Sequence, residues 1–122
     1  MKKQDLSKMS IKELVEFYIK ICIYQYKLDT DEIGKYNQSY LKKRAIESEL
    51  KSRPGDQRRA LMALYDYPNM QVRLNAATAT LAVAPEAARG LLEDIRASGW
   101  QPQAFEAGMG LRRLDEGTFK PT

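Results

Sequence analysis

Apolar residues recur along this 122-residue chain at helical spacing, and no stretch alternates convincingly with the period of two that a strand requires. The first predicted helix starts at Ser10. Ser10 and Glu13 have the spacing of a capping box, and Met9 and Leu14 that of a hydrophobic staple. Beyond the cap, Ile11, Leu14, Val15, Tyr18, Cys22 and Tyr26 form one stripe, and Phe17, Ile21, Tyr24 and Leu28 a second. Only Glu13, Glu16, Lys20 and Lys27 occupy a narrow polar wedge, so the helix is expected to pack on more than one side. The segment "LDTDEIGK" is a break, with Asp29 or Thr30 predicted to cap the second helix and Asp31 and Glu32 suited to its positive end. The predicted buried face of that helix is Ile33, Tyr36, Tyr40, Ile46 and Leu50, interrupted by Lys43; its outer face is Lys42, Arg44, Glu47, Glu49 and Lys51. "SRPGD" ends it, and Pro54 is expected in the first turn of the next helix.

Four shorter helices are predicted in the remainder. One spans about 55–66, with Leu61, Leu64 and Tyr65 apolar. After Pro68, Asn69 caps a helix running to about Val83 that is rich in small side chains, Ala76, Ala77, Ala79 and Ala82 among them. Pro85 opens a helix over 85–97 with Ala88, Leu91, Leu92 and Ile95 on its face, and Gly99 is placed to end it. The last helix, 102–114, has Phe105, Met109, Leu111 and Leu114 as its face, although Gly108 and Gly110 weaken it or mark a close backbone approach. Phe119 is the expected anchor of a coil tail, and Trp100, in the turn between the last two helices, an expected core anchor between layers.

The segment "YDYPNMQVRLNAATATL" is helix, tight turn, helix, and with the leucines before it resembles a HEAT repeat, to which armadillo repeats are related. Leu61, Leu64, Asp66, Pro68, Asn69, Val72, Arg73, Ala76 and Ala77 carry the resemblance, over about 57–83. It implies a structural role for Val72, Arg73, Ala76 and Ala77, with the arginine tying adjacent repeats through a turn aspartate. Tyr67 stands at the usual aspartate position, so Asp66 is the expected substitute. More broadly, the run from "ELKSRPGDQRRALMALYDYPNMQ" to "GLLEDI", with the ending "LDEGTFKPT", resembles a small bacterial family of unknown function, number two thousand and nineteen. That likeness implies an armadillo-like helical fold and supplies no activity. The expected architecture is all-α: a single domain over 1–122 forming a short right-handed α-α superhelix, a HEAT/armadillo-like solenoid of about six helices in antiparallel pairs at 10–52, 54–83 and 85–114.

Composition narrows the chemistry. There is no histidine, so serine–histidine and cysteine–histidine nucleophile systems are excluded and the commonest metal ligand is missing. The single cysteine, Cys22, lies on the apolar stripe of the first helix and reads as inert; one thiol allows no intrachain disulfide and fits a reducing compartment. No apolar run reaches membrane-spanning length, and "MKKQDLSKMS" lacks the apolar core of a signal peptide, so a cytoplasmic location is expected. Asp29, Asp31 and Glu32 lack the calcium-loop pattern. Asp66, Glu93, Asp94, Asp115 and Glu116 are mostly placed as helix-end charges, and neither a cofactor nor an enzymatic activity is expected.

Charge is uneven. Residues 1–61 carry 14 Lys/Arg against 9 Asp/Glu, residues 62–122 carry 6 against 7, and all seven tyrosines precede Pro68. Two kinds of surface follow. Arg44, Arg53, Arg58 and Arg59 are candidates for contacting a partner or phosphates, the basis of an alternative nucleic-acid-binding reading. Phe17, Ile21 and Tyr24, on the second stripe of the first helix, are candidates for an interface, including that of a homodimer. The favoured expectation is a non-catalytic module that binds another protein, for instance a small inhibitor that neutralises a toxin.

Overall fold

The computed structural model describes residues 5–29 and 31–122, so Thr30, one of the two expected caps, lies outside the described residues. Among those residues the regular structure is all-helical, with five α-helices: α1 (Ile11–Lys27), α2 (Ile33–Ser52), α3 (Met70–Thr80), α4 (Pro85–Ser98) and α5 (Gln103–Glu116). Two 3-10 segments, Leu6–Lys8 and Gln57–Leu64, complete it. The backbone divides after Ala60 into two compact units, a boundary that falls inside the predicted 54–83 pair.

In the first unit α1 and α2 pack as a hairpin. The predicted capping box is present: Glu13 N donates to Ser10 Oγ (3.1 Å) and Ser10 N to Glu13 Oε1 (2.9 Å). Leu14, Tyr18, Ile21, Cys22, Ile46 and Leu50 are buried. The cap of α2 differs from expectation: Glu32 is the N-cap and offers no side-chain bond to it, while its carboxylate accepts from Asp29 N at 3.2 Å. Arg53 binds the Leu6 and Met9 carbonyls at 3.1 and 2.6 Å and Glu49 at 2.9 Å, which fastens the segment before α1 to the end of α2. Pro54 does not open a helix. It stands in a turn in which Gly55 (φ 77°) and Asp56 (φ 52°) both adopt left-handed backbone, and the helix expected over 55–66 is instead the shorter 3-10 segment. Asp56 tolerates that conformation as a short polar residue whose carboxylate accepts from Arg58 N at 3.2 Å.

The second unit is built on α3, α4 and α5. Leu74, Ala77, Leu81, Ala88, Leu92, Ile95, Ala107 and Leu111 form its core, with Phe119 packed against it as the anchor expected of the tail. Alanines at the contacts let helices approach closely, and each well-packed methylene contributes about 0.8 kcal/mol. A chain of buried amides ties α5 to α3: Gln103 Nε2 donates to Gln71 Oε1 (2.9 Å), and Gln71 Nε2 to Asn75 Oδ1 (3.1 Å). Gly99 (φ 68°) and Gly117 (φ 76°) end α4 and α5 in left-handed geometry. Asn69 caps α3 as expected, but the helix stops at Thr80, whose carbonyl accepts from Val83 N and Ala84 N.

Two inward assignments are corrected here. Trp100 is 54% exposed and Phe105 66%. The buried stripe of α5 runs through Ala104, Ala107 and Leu111, and Phe105, one residue on from Ala104, is turned about 100° away from it. Trp100 contributes its carbonyl to the start of α5, accepting from Ala104 N at 2.8 Å, while its ring stays in solvent.

Candidate functional site on the α1–α2 hairpin

Three groups of residues on the hairpin carry chemistry. The first is a groove of about 220 Å³ between the two helices. From α1 it takes Phe17, Lys20, Ile21 and Tyr24, and from α2 Lys35, Gln38, Ser39 and Lys42. Both sets have the i, i+3, i+4, i+7 spacing of one helical face. The α1 wall is therefore apolar with one lysine, and the α2 wall polar with two. All three interface residues expected from sequence, Phe17, Ile21 and Tyr24, line this groove. Tyr24 is 46% exposed, so the groove opens to solvent along that ring. Ser39 Oγ donates to the Tyr36 carbonyl at 2.6 Å. Lys35 pairs with Glu32 at 3.7 Å, whereas Lys20 and Lys42 form no ion pair among the described residues.

The second group is a set of large apolar side chains of α2 that stand open to solvent and take no part in the groove. Ile33, Tyr36 and Tyr40, predicted to be buried, are 66%, 37% and 45% exposed, and Leu41 is 66% exposed. The correction has a geometric cause. The buried side of α2 is set by Ser39, Lys43, Ile46, Glu47 and Leu50; before Ser39 no residue of the helix is buried, and Tyr40 and Ile33 lie roughly 75–95° round the helix from the centre of that side. Ile33, Tyr36 and Tyr40 therefore precede or flank the buried side and remain partly open to solvent.

The third group is a buried charge cluster. Glu47, assigned to the outer face from sequence, and Lys43, which interrupted the apolar stripe, are both buried, their side chains 7% and 9% exposed. Glu47 Oε2 accepts from Tyr18 Oη at 2.6 Å and from Lys43 Nζ at 3.0 Å, and Glu47 Oε1 accepts from Arg44 at 3.1 Å. The Lys43 ammonium also lies 5.0 Å from the centre of the Tyr40 ring. Burial, with the Glu47 charge beside it, holds the Tyr18 phenol well above its ordinary pKa. A lysine on an apolar stripe with a glutamate four residues later was the available signal for this cluster; the tyrosine partner, 29 residues before Glu47, was beyond sequence spacing.

The four candidate arginines do not act as a group of open cations. Arg53 is bound to two backbone carbonyls and Glu49. Arg58 grips Asp56 through Nε and Nη2, the latter at 2.7 Å, and is 11% exposed; this pairing holds the Asp56 carboxyl below and the Arg58 guanidinium above their ordinary values. Arg44 is 60% exposed but engages Glu47, and Arg59 is exposed. In the second unit Val72, Ala76 and Ala77 are fully buried. Arg73 donates from Nε to the Tyr67 backbone carbonyl, so a main-chain oxygen takes the bond expected of the Asp66 carboxylate. Cys22 is buried. Among the described residues no group of three potential ligands gathers to hold a metal, and no helix is long and apolar enough to cross a membrane.

A family profile described as "Domain of unknown function (DUF2019)" matches residues 12–115. Among solved structures, the crystal structure of the protein RPA1889 from Rhodopseudomonas palustris CGA009 is similar at 50% sequence identity. It covers 98% of this chain and 100% of that one, with a TM-score of 0.93. No curated protein matches the chain.

Proposed function

Since the chain belongs to this family of domains of unknown function, we propose from its geometry that it is a non-catalytic protein–protein interaction module working through the α1–α2 hairpin. One observation carries the reading. Tyr24, Tyr26, Ile33, Tyr36, Tyr40 and Leu41, six large apolar side chains within 18 residues of chain, stand 37–66% open to solvent. Single exposed apolar residues are ordinary, but four part-exposed tyrosines on one hairpin match the aromatic enrichment of binding hot spots. The strongest buried charges offer no competing chemistry: Glu47, Lys43 and Tyr18 satisfy one another. The second unit supplies a scaffold, and its Val72, Arg73, Ala76 and Ala77 arrangement supports an armadillo-like reading of the helices. The lone buried thiol supports a reducing, cytoplasmic setting.

The test is affinity capture from an extract of the native host, with the wild-type chain and an I33E/L41E variant side by side. Both positions are 66% exposed, so the substitutions remove no core packing, and a thermal melt checks that the variant folds. The expected result is a protein retained in stoichiometric amount by the wild type and lost by the variant. Retention of nothing, or equal retention by both, overturns the reading.

A further inference from the structure

We infer that the groove between α1 and α2 receives an apolar anchor side chain from an acidic segment of the protein partner; this rests on the interaction-module reading and names the partner's chemistry. Size comes first. A volume of about 220 Å³ lies below the roughly 300 Å³ at which pockets begin to enclose drug-sized ligands and cofactors, and matches one large side chain. The walls suit such an anchor: Phe17 and Ile21 give apolar contact, and the half-exposed Tyr24 ring leaves one side open for the rest of a peptide to pass.

Charge gives the second argument. Lys20 on α1 and Lys35 and Lys42 on α2 all line the groove, and among the described residues no carboxylate does. Glu32 answers Lys35 at 3.7 Å, but Lys20 and Lys42 have no ion pair among the described residues, and Glu16, one turn before Lys20, forms none with it. A cationic rim around an apolar slot is complementary to a segment that carries Asp or Glu on both sides of an aromatic or aliphatic residue. The same rim disfavours basic segments.

Peptide-phage display against the immobilised full-length protein tests this directly, using a library of random twelve-residue peptides panned at low salt on the wild type and on a K20E/K42E variant. Both lysines lie at the surface, and a thermal melt confirms that the variant folds. The expected outcome is enrichment of sequences with acidic residues flanking Trp, Phe or Leu, whose binding falls at least about tenfold on the variant. No enrichment, enrichment of neutral or basic sequences, or binding that the variant retains overturns the inference. So does a dimer in sedimentation that the double reversal dissociates, since the occupant would then be a second copy of this chain. The two readings fail separately. A native partner lost by I33E/L41E but kept by K20E/K42E leaves the module and removes the groove. Capture of no partner by the wild type removes the module itself.

Discussion

Replacing Glu47 by glutamine preserves the volume of the side chain and removes its charge, which isolates what the buried cluster contributes. In the wild type the carboxylate answers a Lys43 ammonium 3.0 Å away whose side chain is only 9% exposed. The amide of the Glu47→Gln variant can still accept one hydrogen bond, but it leaves that ammonium with the face of Tyr40 and no counter-charge. Breaking a buried pair from one side costs about 3–5 kcal/mol, and the flexible lysine stem can carry its head toward water, which favours the lower end, about 3 kcal/mol. Arg44, already 60% exposed, adds under about 1 kcal/mol. With an unfolding entropy of roughly 2.1 cal/mol/K per residue, a chain of this length loses about 4 °C of Tm per kcal/mol, so a fall of about 12 °C is expected. Thermal melts followed by far-UV circular dichroism measure it. The decisive control is the triple variant Y18F/K43M/E47L, which exchanges the whole cluster for apolar groups of similar size and is expected within about 2 kcal/mol of the wild type. A Glu47→Gln variant melting within about 4 °C of the wild type would refute the reasoning. So would a triple variant that falls as far as the single one, because the loss would then be packing and not charge.

Other outcomes follow from the same structure. The Tyr18 phenol is held above its ordinary value, so its neutral form stabilises the fold fully below about pH 10 and that contribution is lost as pH rises beyond it. In an ultraviolet titration one of the seven tyrosines should ionise only together with alkaline unfolding, and Tyr18→Phe should remove that step. Asp56 has the opposite sign: Arg58 lowers its carboxyl, so the stability it gives is present above about pH 4 and lost as pH falls through its folded value; Asp56→Asn should flatten the acid side of the Tm profile. Trp100, the single tryptophan, should be readily quenched by acrylamide in the native state, and a shielded, blue-shifted emission would contradict its placement. Because Arg53 and Arg58 are engaged within the fold, gel shifts at low salt should show no nucleic-acid complex, and a complex whose affinity falls steeply with salt would revive that reading.

Local chemistry was enough to specify much of this protein. The Ser10–Glu13 box, the Asn69 cap, Pro85 at the head of α4 and glycine at the end of it each act within a few residues, so their consequences can be read from spacing alone, and the all-helical class follows from periodicity. The apolar wall of the groove was legible for the same reason, since Phe17, Ile21 and Tyr24 share one face of a helix whatever packs beside it. Its lysine rim was not, because Lys35 and Lys42 meet Lys20 only when two helices fold into a hairpin. The buried cluster depended on tertiary structure in a stricter sense. A carboxylate is an outer residue until a tyrosine hydroxyl and an ammonium replace its water, and the tyrosine that makes Glu47 an inner residue comes from the other helix. The same holds for Ile33, Tyr36, Tyr40, Trp100 and Phe105. Their hydrophobicity predicted burial, but burial needs a second surface, and a linear pattern does not record which side of a helix its neighbour covers.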